Sequence, residues 1–177
     1  MLFRSATILK NSDDEGPARQ RPRVIVSTHT IALQEQLVNK DLPLLQSIIP
    51  DEFTAVLAKG RGNYVSIRRM HQAAQRQDHL FTDPMAVESL QIVQNWAYAT
   101  TDGSRASLPL LPRPMVWERV ESDAGNCMGR RCPTYEKCFY QAARRRMEHA
   151  DLLVVNHALF FSDLALRAQG EIGRAHV

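Results

Sequence analysis

Three short apolar runs constrain this chain most. "RPRVIVST" at residues 21–28, "FTAVLAKGRGNY" at 53–64 and "DLLVVN" at 151–156 each hold a short apolar stretch, β-branched in part, that ends in polar or turn-forming residues. Continuous apolar runs of strand length suit strands covered on both faces, as in parallel sheets. The first and last run straight into helical patterns, "IALQEQLVNKDLPLLQSII" (31–49) and "HALFFSDLALR" (157–167). In the former, Ile31, Leu33, Leu37 and Val38 are the apolar positions, and a hydroxyl from Thr28 or Thr30 can cap the first turn. Pro43 removes a helical N–H, so two short helices are predicted there rather than one. Strand, helix, strand, a long interval, then strand and helix predicts an α/β fold, a partial parallel sheet interrupted by a mostly helical insertion.

The interval carries helical patterns at 65–77, 86–100 and 139–150. Residues 101–125, with Pro109, Pro112 and Pro114, are expected to be mostly irregular, and Trp96 and Tyr98 to be core residues. All three cysteines fall in "CMGRRCPTYEKC" (127–138). Cysteines that serve as small hydrophobes are usually scattered among apolar neighbours. Cys127, Cys132 and Cys138 instead share a loop with Gly129, Arg130 and Pro133, which points to metal or iron–sulfur ligands. An odd cysteine count fits a reducing, cytoplasmic compartment better than a disulfide scaffold. The net charge of +3 is weak evidence for an anionic partner, but the positive charge is clumped, as at Arg68 and Arg69, Arg130 and Arg131, and Arg144 to Arg146. There are no internal repeats, no stretch of membrane-span length and no signal-peptide pattern.

Three segments in order carry a resemblance. "RVIVSTHTIALQEQL" (23–37) resembles the strand and helix that follow the nucleotide-binding loop in DinG-type helicases, relatives of XPD in superfamily 2. "VLAKGRGNYVSIRRM" (56–70) resembles the start of that family's inserted iron–sulfur domain, and residues 127–164 resemble its remaining cysteines and the return to the first motor domain. The resemblance implies that residues 6–60 and 149–170 belong to helicase motor domain 1 and that 61–148 form the inserted domain. It implies nucleic-acid contacts at Ser27, Thr28 and Thr30, at Lys59 and Arg61 beside the turn glycines Gly60 and Gly62, and at Arg68, Arg69, Arg130 and Arg131, where cations could form an electrostatic funnel. It also implies a 4Fe-4S cluster on Cys127, Cys132 and Cys138, with Ser66 standing where most relatives place the first cysteine ligand.

Serine oxygen is a harder and less readily deprotonated ligand than a thiolate. A cluster with Ser66 or water at one iron, a three-iron cluster, a zinc site and an empty loop therefore all stay open, with His71 as a substitute ligand. The intact parent is expected to be an ATP- and Mg2+-dependent, monomeric DNA helicase of DNA repair type. It would act on single-stranded DNA and forked duplex DNA, with no membrane association. The alternative is a non-catalytic nucleic-acid-binding module with a structural zinc site. No Gly-rich phosphate loop or DEAH-type box occurs in the chain, so it reads as an internal fragment with no catalytic residues of its own. "MLFRS" (1–5) and "EIGRAHV" (171–177) can be encoded by inverted copies of one short-read sequencing adapter, and both ends are expected to be adapter-derived.

Overall fold

The computed structural model describes residues 6–8 and 23–168; the expected adapter-derived ends, 1–5 and 171–177, lie outside the described residues. The chain forms two compact units, one from residues up to Lys59 together with those from Arg145 onward, the other from Gly60 to Arg144.

The first unit is built on a four-stranded sheet of β1 (Ala6–Ile8), β2 (Val24–Thr28), β3 (Ala55–Leu57) and β4 (Leu152–Asn156), in the spatial order β1-β2-β4-β3. β2, β4 and β3 run parallel, and β1 joins β2 antiparallel. The last run in sequence is thus central in space, and Leu153, Val154 and Val155 of β4 are buried on both faces. Register is set at the strand starts by polar clamps. Arg23 donates through Nε to Ala150 O (3.1 Å) and through Nη2 to Glu148 O. Asp151 Oδ2 accepts from Thr54 N (2.8 Å) and Thr54 Oγ1 (3.0 Å), which aligns β3 with β4. These clamps bring Val24 and Ala55 both opposite Leu152.

After β2 the chain is helical from α1 (Ile31–Gln36) to α2 (Leu42–Ile48) through a π-helical turn, Leu37–Asp41. Pro43 therefore does not break the run into two separate helices. It occupies the first turn of α2, and the wide turn before it absorbs the missing N–H and the ring. α8 (His157–Ala168) follows β4 directly.

The second unit contains α3 (Ile67–Gln75), α4 (Gln77–Leu80), α5 (Pro84–Ala99), α6 (Pro114–Val120), the cysteine loop and the first part of α7 (Phe139–Glu148). Its core gathers Val65, Met70, Leu90, Val93, Trp96, Val116, Trp117 and Val120, most of them with no exposed surface. Both tryptophan N–H groups find a backbone acceptor, Trp96 Nε1 donating to Ser107 O (3.2 Å) and Trp117 Nε1 to Gly62 O (2.8 Å). Trp96 is core as expected, but Tyr98 is 70% exposed, because two residues on α5, roughly 200° around the helix, carry it to the solvent face.

The stretch 101–125 is less irregular than its prolines suggested. Pro114 starts α6, where a missing N–H costs nothing, and Val116, Trp117 and Val120 supply the apolar face. Its entry is fixed by Arg113 N donating to Ser89 Oγ (3.1 Å) and by an Arg113–Asp83 ion pair at 2.9 Å. Before it, Asp102 Oδ1 accepts from Thr100 Oγ1, Ser104 N and Ser107 Oγ, ordering the chain through a 3-10 turn at Arg105–Ser107. Among the described residues, no helix is long and apolar enough to cross a membrane.

Candidate nucleic-acid interface and cysteine loop

In parallel α/β sheets, ligands bind at the carboxyl ends of the strands, where loops and helix starts converge. In the first unit the register pairs Thr28 with Asn156 at that edge. Ser27 Oγ lies 3.1 Å from Nδ1 of His157, the first residue of α8. The rings of His157 and His29 meet edge to face, 5.7 Å between centroids. Thr28 is buried, and its hydroxyl reaches Thr30 O at 3.5 Å. Thr30 is exposed and extended, and its Oγ1 accepts from Leu33 N (3.3 Å) as the cap of α1. Accepting a cap bond leaves the hydroxyl proton of Thr30 free to be donated. Asn156 Oδ1 accepts from Leu159 N (2.7 Å) and starts α8.

The fold therefore brings Ser27, Thr28 and Thr30 together and adds His29, Asn156 and His157. Sequence reasoning overlooked these three. The available signal was the polar "NH" that ends "DLLVVN", once that strand is known to lie beside β2. Lys59 closes the first unit just after β3.

In the second unit, a 3-10 turn at Arg61–Asn63 leads into Tyr64 and Val65, which bridge to Ser104 and Glu121. Ser66 then caps α3, its Oγ accepting from Arg69 N at 3.4 Å. Three of the predicted nucleic-acid residues are engaged inside this unit. The Arg61 guanidinium stacks 4.1 Å from the centroid of the buried Tyr140 ring, and its Nη1 reaches Asp123 O (3.5 Å). Arg69 donates to Glu121 O (2.6 Å) and Glu118 O (2.7 Å), satisfying carbonyls at the end of α6. Arg68 donates to Asn126 O and to Gln72 Oε1. Arg130 and Arg131 are exposed on a 3-10 turn within the cysteine loop.

The loop itself is a succession of turns, with Cys127 N on Ala124 O, Cys132 N on Gly129 O and Cys138 N on Tyr135 O. All three thiols are free; Cys127 is exposed, and Cys132 Sγ lies 3.4 Å from Thr134 Oγ1. Burial alone would raise the Cys127 thiol. The hydrogen bond from Arg61, the Gly129 N–H and the charges of Arg61 and Arg68 outweigh it and hold the thiol below its ordinary range. Glu121 is pushed up, first by burial and next by repulsion from Glu118, against the opposing pull of Arg69. Asp123 is held down, chiefly by its hydrogen bond from Asn126.

The residues implied for a 4Fe-4S cluster do not fit one as arranged. Among the described residues, no group of three or more His, Cys, Asp or Glu side chains is gathered to hold a metal ion. Ser66 Oγ serves the α3 cap, and His71 Nε2 is 2.8 Å from Tyr98 OH.

The first unit is of the parallel α/β class, with a hydroxyl- and imidazole-lined strand edge, and sequence comparison narrows it. No family model matches the chain. It is 34% identical over 154 residues to the ATP-dependent DNA helicase YoaA of Escherichia coli, covering 86% of this chain and 24% of that protein. It is 34% identical over 152 residues to the ATP-dependent DNA helicase DinG of Photobacterium profundum, and 38% over 157 residues to the ATP-dependent helicase DinG of Mycobacterium tuberculosis. The chain belongs to the DinG and YoaA helicase family, and it spans about a quarter of the length of the curated relatives it matches.

Proposed function

We propose that this chain is the middle of the first motor domain of an ATP-dependent DNA helicase, with residues 6–60 and 149–170 in the motor core and 61–148 as an inserted domain. The observation that carries this reading is the 34–38% identity to named helicases over about four-fifths of the chain. The intact parent binds ATP and Mg2+, moves along single-stranded DNA and opens forked duplex. This segment supplies contacts to the translocating strand rather than chemistry, since it has neither a phosphate loop nor an acidic metal motif. Thr30 donates its free hydroxyl proton to a phosphate oxygen. Ser27 and Thr28 line the same edge, and Lys59, Arg130 and Arg131 add sequence-independent charge. Arg61, Arg68 and Arg69 act through the fold of the inserted domain, because their guanidinium groups are held there by a tyrosine ring and backbone carbonyls. A 4Fe-4S cluster, if loaded on Cys127, Cys132, Cys138 and Ser66, would cross-link the cysteine loop to the start of α3, and no step of translocation is routed through it.

The test is salt-dependent binding of single-stranded oligonucleotides to the intact parent. Arg130→Gln with Arg131→Gln removes two phosphate partners and is expected to lower the slope of log K against log salt by about 1.4. Thr30→Ala is expected to weaken binding equally for all sequences, since phosphate contacts carry no base information. Unchanged affinity and slope in both variants would exclude these surfaces as DNA contacts.

A further inference from the structure

We propose that in this chain the guanidinium of Arg61, rather than a metal cluster, ties the cysteine loop into the inserted domain. A cluster on Ser66, Cys127, Cys132 and Cys138 would join the residues before α3 to the loop and to the start of α7. Arg61 already joins the same three pieces. It sits five residues before Ser66, it reaches Asp123 O and the Cys127 thiol at the start of the loop, and it lies 4.1 Å from the ring of Tyr140, two residues beyond Cys138.

Tyr140 is 1% exposed and packs against Tyr64 at 6.0 Å between ring centroids, so the cation stands on a fixed platform. A half-buried guanidinium over an aromatic face is held by cation–π attraction. The arrangement carries one cost, since Arg61 Nε is buried without a hydrogen-bond partner.

The loop has further supports that need no metal. Arg68 donates to Asn126 O, Asp123 Oδ2 accepts from Asn126 N at 3.0 Å, and successive turns satisfy the backbone through Cys138. The candidate ligands have partners of their own. Ser66 caps α3, His71 meets Tyr98, Cys127 meets Arg61 and Cys132 meets Thr134. The apolar core of this unit, with Val65, Met70, Leu90, Val93, Val116 and Val120 fully buried, is made of side chains outside the loop. Closing a four-ligand cage would require Cys127 to leave Arg61 and Ser66 to give up its cap. The inference concerns only the fold of residues 60–144 and stands whether or not the helicase reading holds.

The test uses the full chain, purified anaerobically, with elemental analysis and thermal melting in the presence and absence of iron and zinc chelators. Wild type is expected to hold no stoichiometric iron or zinc and to melt identically with chelator. The triple variant Cys127→Ser, Cys132→Ser, Cys138→Ser is expected to melt within about 2 °C of wild type. Arg61→Met, which keeps the stem and removes charge and donors, is expected to melt roughly 5–10 °C lower, with Arg61→Lys in between. An Arg61→Met chain that fails to fold while the triple variant folds supports the proposal equally. Stoichiometric metal whose removal lowers the melting point, loss of fold in the triple variant, or an Arg61→Met chain that melts with wild type would each overturn it.

Discussion

Gly103 offers a sharp test of how the inserted unit is packed. Its φ is +60°, and a Cβ built there would lie 2.1 Å from Phe139 Cγ, 2.4 Å from Cδ2 and 2.6 Å from Cβ. Rotating the Phe139 ring cannot relieve this, because the clash includes the two atoms nearest the α7 backbone. The Gly103 backbone cannot retreat freely either, since its O accepts from Val65 N (3.0 Å) and its N donates to Thr100 Oγ1 (3.2 Å). Gly103→Ala therefore carries a backbone cost of about 1–2 kcal/mol for a left-handed alanine and an overpacking cost of about 1–3 kcal/mol. Gly129 is the internal control, with φ of +54° and no atom within 4 Å of a built Cβ. Gly129→Ala should carry the backbone cost alone. Both tryptophans of the chain, Trp96 and Trp117, lie in the core of this unit, so their fluorescence reports on its unfolding. In thermal melts we expect falls on the order of 20 °C for Gly103→Ala and on the order of 8 °C for Gly129→Ala. Equal melting points for the two variants would refute the seat of Phe139 on Gly103, and with it the packing of α7 in this unit.

Three further outcomes follow from particular residues. Glu121 titrates above the usual carboxylate range because burial disfavours its charge. The folded chain therefore holds this proton more tightly than the unfolded one, and the stability linked to it is present at acid pH and lost as pH rises through the folded value. Glu121→Gln is expected to raise the melting point slightly at neutral pH and to change nothing below the ordinary carboxylate range, which paired melts at the two pH values would check. Asp123 has the opposite sign: its stability is present above the ordinary range and is lost as pH falls through its lowered value, so Asp123→Asn should cost stability at neutral pH and little in acid. Thr30→Ala removes the α1 cap and should destabilise the first unit by about 1 kcal/mol in denaturant titration followed by circular dichroism. The chain by itself is expected to hydrolyse no ATP, with or without single-stranded DNA, in a coupled phosphate-release assay.

The parallel core was legible because "VIVST" and "LLVVN" are bounded apolar runs with helices directly behind them, a signal that survives without tertiary context. Their adjacency was not legible. β2 and β4 pair across more than a hundred residues, so the meeting of Ser27 with His157 depends on topology rather than on local pattern. In the second unit, prolines pointed to irregular backbone where Pro114 in fact begins a helix, because proline reads as a breaker unless the apolar spacing behind it is weighed. The clumped arginines raised an expectation of nucleic-acid contact, yet Arg61 and Arg69 are engaged with a tyrosine ring, a thiol and backbone carbonyls. Charge in a sequence shows that a cation is present, but only the fold shows which acceptor it meets.

The central claim is that this segment belongs to a DNA-driven motor, and strand separation by the intact parent tests it most directly. A forked duplex with a 5′ single-stranded tail, labelled for fluorescence release, would be mixed with the purified parent, Mg2+ and ATP. Hydrolysis should rise on addition of single-stranded DNA, and the duplex should open only when ATP is present. A parent that binds the fork but neither hydrolyses ATP nor releases the strand would contradict the account and leave the chain as part of a passive nucleic-acid-binding protein.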